Sequence, residues 1–480
     1  MILTKDISNG VVAAVSIPVV FLLAGLAYLR PGYFTSATYM AVFIGLEVLA
    51  VALWQFRQAF FPLLIYVFLS AGTNLPGNSF GTRGRWIFLG IGALVGALIT
   101  LKEGKFRLAF FHLVSLSCVL AALASAAVSR YPDMAMLKAL SLFLLFIYAA
   151  SGARIAVEGR ENRFLDGLVL GCEILVGVTA VFYAAGNEVM GNPNSLGAIM
   201  GVVAVPVLLW GVLTSRELSK GAFARRHRAA MFFLSVYLLY YSHARAGMLA
   251  AIASCALLCV GLREYKMLAK GFAFLLVMVA AAAIFRPEAV SNSVSGFTSD
   301  VVYKGHGGGG VLASRESPWN EAMDTIKSHV WFGTGFGTKD TAFDSTMRTD
   351  NLAISFARAE YGNSYLAIVV WVGVVGMLPF ALLLLLLAGP VLRTFRWMRA
   401  TGSALHPAVP LALVVVAGVI HAGLEDWLFA VGYYMCVFFW SMAFVLVDIA
   451  PATSRIPEFS SYSRRNPLPS ERQVLVPGRG

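Results

Sequence analysis

The stretch YYSHARAG, Tyr240–Gly247, sets His243 and Arg245 among small residues and tyrosines at the edge of a long apolar run. A planar guanidinium can hold a pair of anionic oxygens in its fork. Ser242, Ala244, Ala246 and Gly247 leave the backbone around Arg245 open to a bulky head group. The competing reading is an interfacial anchor that turns the chain. A second stretch, HAGLEDWLFAVG, carries His421 and Glu425 four residues apart, so a helix would put them on one face. A carboxylate beside histidine can fix the ring in one tautomer or accept a proton itself. A polar clamp between helices is the alternative. Asp426, one residue on, would point towards water.

Other candidates surround these two stretches. Arg315 sits in ASRESPWNEAM, four residues before Trp319. The run WFGTGFGT places Gly333, Gly335 and Gly337 where glycine permits tight turns and exposes N–H groups that could cradle phosphate. No Gly-Lys-Ser/Thr follows, so it is not a nucleotide P-loop. Asn363 and Tyr365 open an apolar run, where they could bond sugar hydroxyls or cap and anchor a helix. Asn192 and Asn194, around Pro193, read as a turn and helix start or as a substrate contact.

What must position these residues is a membrane. The chain has 480 residues, 59% hydrophobic and 13% charged, too few charges to cover a soluble surface. Repeated apolar runs approach the roughly 20 residues that cross a bilayer as helix, and their continuity excludes a β-barrel, whose strands alternate. Fourteen runs qualify, from 10–28 to 431–449, with 59–74 short and the last two barely separated around Leu428–Gly432. The expected fold is all-α and polytopic, with 12–14 transmembrane helices. Expected divisions are N-terminal helices over 1–285, a long loop over 286–362, C-terminal helices over 363–450 and a disordered basic tail over 451–480.

Placing the N-terminus in the cytoplasm puts Arg154, Arg160 and Arg163, RRHR at 225–228, Arg393, Arg396 and Arg399, and the basic tail on the inner side. That explains the net charge of +12 without nucleic acid. The same threading sends Arg245, Arg315, Asn194 and the outer end of the 409–430 run to the opposite face. Cys118, Cys172, Cys255, Cys259 and Cys436 fall inside apolar runs with neither metal-site nor disulfide spacing.

The order GNPNSLGAIM, YYSHARAG, ASRESPW, WFGTGFG, GNSYLAIVVWVGVVG and LEDWLFAVG resembles the O-antigen ligase and polymerase superfamily over about residues 185 to 445. The resemblance implies a bacterial inner-membrane glycosyltransferase with both termini cytoplasmic. Its partners would be an undecaprenyl-pyrophosphate-linked glycan donor, a glycan acceptor, membrane lipids, and polysaccharide export or chain-length proteins. It implies pyrophosphate binding by Arg245 and Arg315 and glycan contacts at Asn363, Tyr365, Asn194 and Trp319. Gly333, Gly335 and Gly337 match a structural turn.

Many ligases have histidine directly before the asparagine of the GNSYL motif, where it is a candidate base; this chain has Gly362. Glycine takes no proton, which passes the role to Glu425, His421, His243 or Glu360, or else the chemistry differs. The loss favours a polymerase over a ligase. No metal site and no cofactor are expected. A lipid-linked glycan transporter is the alternative from another class. It would need polar, broken segments near the bilayer midplane, whereas the polar candidates gather at one face.

Overall fold

The computed structural model describes residues 36–70, 78–104, 109–187, 189–190, 193–218, 221–266, 269, 313–338 and 361–452, and the regular elements among them are helices. The expected runs at 10–28 and 270–285, the tail from 453 on, and Glu360 and Asn192 lie outside these residues. Of the 286–362 segment, 313–338 and 361–362 are described.

Five of the described helices are long and apolar enough to cross a membrane, and four shorter apolar ones accompany them. The protein is a multi-span helical membrane protein. In chain order the helices are α1 (Ala37–Gln55), α2 (Arg57–Ser70), α3 (Asn78–Lys102), α4 (Phe110–Ala127), α5 (Pro132–Ala150), α6 (Gly152–Val157), α7 (Glu161–Ala184), α8 (Pro193–Ile199), α9 (Val205–Glu217), α10 (Ala222–Tyr241), α11 (Arg245–Gly261), α12 (Ala313–Ser328), α13 (Ser364–Thr401), α14 (Ala408–Ala422) and α15 (Tyr434–Ile449). The sequence suggested separate spans at 34–54 and 59–74. The chain bends by 118° between α1 and α2, the described part of which is 14 residues or about 21 Å of helix, so the two helices are not two straight spans in line.

The core is made by α14, α15 and the continuous run α8–α9, which are almost entirely buried. Between α8 and α9 the chain takes one π turn, Met200–Ala204. Pro206 follows at once. A proline has no N–H to give, and its ring crowds the carbonyl four residues back, so a widened turn keeps the helix going. A Cβ on Gly201 would overlap the backbone of Gly247 in α11, one on Gly247 would overlap the backbone of Gly197, and one on Gly197 would overlap Ala244. That close crossing brings the first turn of α8, with Asn194, beside the first turn of α11, with Arg245.

α13 runs for 38 residues, about 57 Å, nearly twice the hydrocarbon thickness. It is broken at Gly373, whose φ of 70° and ψ of −178° only glycine adopts readily. The break frees carbonyls, and the glycine-rich segment after α12 takes them up. Thr334 N–H donates to Val370 O at 2.9 Å and Gly335 N–H to Trp371 O at 3.1 Å, while Val374 N–H donates to Val330 O at 2.8 Å. Residues 333–338 are thus buried against α13 and the α4–α5 turn, where Ser129 Oγ bonds Thr334 O at 2.9 Å and Lys138 Nζ donates to Gly337 O.

Candidate functional site

Each of the site's side chains stands where a helix starts or stops. α14 ends at Ala422 with Gly423 as its C-cap, so Glu425 is not on a helical face with His421 as the four-residue spacing suggested. From Gly423 to Tyr433 the chain is irregular, held by Ser364 at the start of α13. Ser364 N–H and Oγ both donate to Glu425 O, at 3.1 and 2.7 Å, and Leu428 N–H donates to Ser364 Oγ at 3.1 Å. Asp426 is half-buried, and its Oδ2 accepts Tyr361 N–H at 2.7 Å, tying the residue before Gly362 to the same turn. Asn363 caps α13, its Oδ1 accepting from the N–H groups of Tyr365 at 2.9 Å and Leu366 at 3.2 Å.

Into this frame α12 delivers Arg315. Its Nη2 donates to Glu425 Oε1 at 2.6 Å, and Asn194 Nδ2 donates to the same oxygen at 3.3 Å. The pair is 19% and 21% exposed, sheltered enough for the charges to count and open enough for a ligand to reach them. Asn194 is fixed through its neighbour: Ser195 Oγ meets Tyr433 Oη at 3.2 Å, and Tyr434 Oη donates to Ser195 O at 3.3 Å. Arg245 opens α11, where burial first and then the charge of Arg315 hold its guanidinium below its ordinary range, so the two cations lie close enough to repel. Gly362 has φ +61°, and a Cβ there would lie well inside van der Waals contact of Arg315 Nη1. The guanidinium therefore occupies the space that a side chain at 362 would take. Burial first, then the carboxylates of Glu321 and Asp426, push the Tyr361 phenol above its ordinary range, so it stays protonated.

The remaining sequence candidates divide clearly. His421 is 2% exposed, and its Nδ1 accepts Trp427 Nε1–H at 2.8 Å. An indole only donates, so the proton of the neutral ring is on Nε2 and its basic nitrogen is already engaged. His243 lies exposed at φ +51° in the turn between α10 and α11, its ring against Tyr240. Tyr365 Oη donates to Val419 O at 2.5 Å. Trp319 Nε1 is buried with no acceptor among the described residues. Gly333, Gly335 and Gly337 all have positive φ, and a Cβ on Gly333 would lie 2.5 Å from Trp371 O. The N–H groups of Thr334 and Gly335 bond the broken helix, so they are not free to cradle phosphate. Sequence reasoning missed Ser364 and the part played by Asp426. Gly423, a C-cap signal between His421 and Glu425, is what would have separated those two. Among the described residues no three His, Cys, Asp or Glu side chains gather as a metal site.

The arrangement sets Arg315 against a fixed carboxylate, Glu425, where the starts of α8, α12 and α13 meet the turn after α14. These are features of a multi-span helical membrane protein with a paired guanidinium and carboxylate among its helix ends. Residues 230–381 match a family described as O-antigen ligase. The match takes in Arg245, Arg315, the glycine turn, Asn363 and Tyr365. It is narrower than the motif order suggested, because Asn194 and Glu425 join the site from outside it. No curated protein matches the chain.

Proposed function

We propose that the protein is a glycosyltransferase of the bacterial inner membrane that polymerises undecaprenyl-pyrophosphate-linked repeat units of an exopolysaccharide or O-antigen on the periplasmic side. The observation that carries this reading is the Arg315–Glu425 pair, with Asn194 on the same carboxylate oxygen and Arg245 alongside. An acceptor sugar hydroxyl attacks the anomeric carbon of the donor. The new C–O bond forms as the bond to pyrophosphate breaks, and the electron pair leaves with the carrier pyrophosphate. Glu425 takes the hydroxyl proton. Arg245, with the N–H groups that Arg315 does not spend on Glu425, offsets the charge gathering on the leaving group. The activated leaving group removes any need for a nucleotide, and two guanidiniums do what a divalent cation does elsewhere, which supports a metal-independent reaction.

The family description of the matched segment favours a second reading, transfer of the finished glycan to lipid A-core or protein by a ligase. Glycine at 362 favours polymerisation. A deletion strain of the host separates them when its surface polysaccharide and lipid-linked pool are profiled together. Single repeats accumulating on the carrier, with long chains missing, is the outcome expected here. Full-length chains held on the carrier would make it a ligase. Unchanged glycans in both pools would sink the glycosyltransferase reading.

A further inference from the structure

Directly after α12 come three large apolar residues with their side chains at the surface: Val330 at 39% exposed, Trp331 at 66% and Phe332 at 51%. They precede the buried segment 333–338, so the exposure is confined to one step of the chain. Its cause is the break in α13. Val330 O accepts Val374 N–H at 2.8 Å, and the backbone of Trp331 and Phe332 fills the space where Gly373 has no Cβ. With their backbone pressed against the helix, the side chains project away from it. They come out beside Val374 and Val375, at the head of an exposed apolar stripe that continues down α13 through Leu378, Leu382 and Leu385. In a multi-span protein such a stripe is the face turned to acyl chains. The α4–α5 turn, where that hairpin leaves the bundle, lies at the same level, since Ser129 bonds Thr334 and Ser125 Oγ bonds Trp371 O. Tryptophan at the point where hydrocarbon gives way to head groups suits its apolar body and polar N–H.

We propose that Val330, Trp331 and Phe332 form a foot inserted into the head-group boundary of the bilayer, continuous with the lipid-facing stripe of α13. The foot fixes the stance of α12, whose first turns carry Arg315 about 20 Å away along the helix. A site that draws its substrate from the membrane then has its arginine held at a set height over the lipid surface. The inference rests on the fold and the membrane setting alone, and it stands or falls separately from glycosyl transfer.

The test uses the full chain in phosphatidylethanolamine–phosphatidylglycerol nanodiscs, with one nitroxide at a time on Phe332→Cys, Met323→Cys or Leu378→Cys. The unsubstituted protein is the background control for its own cysteines. Power saturation compares collision with oxygen, which concentrates in lipid, against collision with a water-soluble nickel chelate. The label at 332 is expected to respond mainly to oxygen, as at 378, while 323 on the exposed face of α12 responds mainly to nickel. A 332 label as nickel-accessible as 323 puts the foot in water. One shielded from both reagents puts it under protein, such as a second copy of this chain. Either result overturns the proposal. Adding Trp331→Ser and Phe332→Ser to the 323-labelled protein should at least double the mobile fraction of its spectrum. An unchanged spectrum would overturn the part in which the foot steadies α12.

Discussion

At the residue scale the site turns on a conflict for space. Because motif resemblance makes histidine the ordinary occupant of position 362, Gly362→His looks like a repair. The geometry says otherwise: φ is +61° and the first side-chain carbon would displace the Arg315 guanidinium from Glu425. A non-glycine residue in that backbone region costs about 1–3 kcal/mol before any clash is counted. Gly362→His is therefore expected to lower turnover of purified lipid-linked substrate by at least tenfold, on the order of the loss from a misplaced catalytic group. A gain in turnover would refute the arrangement. The two proton-acceptor candidates in HAGLEDW separate as cleanly. Glu425→Gln keeps most of the shape and removes the basic oxygen, so kcat should fall by about 10²–10⁴ with the fold intact. His421→Phe removes the acceptor for Trp427 Nε1–H and should cost about 1–3 kcal/mol of stability, with kcat nearly unchanged. If the kinetic losses appear in the opposite order, Glu425 is not the acceptor.

At the scale of elements, helix breaks do the positioning, and they explain what could be read in advance. Among the described residues most of the expected helices were legible, because uninterrupted apolar runs have few other ways to satisfy their backbone in lipid. Arg245 at the start of α11 and Asn363 at the cap of α13 could be placed from local sequence alone. The pairing of Arg315 with Glu425 could not, since it joins residues 110 apart through a turn whose shape is set by Ser364 and Asp426. Nor could the break at Gly373: one glycine in VGVVG reads as ordinary in a membrane helix, and the break makes sense only with the segment that fills it. Gly373→Ala should force the two apart, because its Cβ would overlap Trp331. Expected are a loss of about 1–3 kcal/mol and new proteolytic cleavage between α12 and α13 in membranes. Cleavage indistinguishable from the parent would mean that the docking is not held by the break.

For the whole molecule, the question is which side of the membrane the site faces. Charge bias would set RRHR, inside the first turns of α10, at the cytoplasmic edge, and the part of α10 that follows it, 229–241, rises about 20 Å towards the other face. Its far end, Tyr241, is four residues from Arg245. On the orientation proposed from charge bias, the site therefore sits at the end of α10 away from RRHR. Arg226 and Met323 are both exposed and report the two ends. In intact cells a membrane-impermeant maleimide should modify Met323→Cys and leave Arg226→Cys untouched, with both reacting once the membrane is permeabilised. The reverse pattern would turn the bundle over. Arg245, Arg315 and Glu425 would then meet cytoplasmic nucleotide sugars and not glycans already carried across, and the pyrophosphate-linked donor would have to be abandoned even though every contact in the site stayed as described.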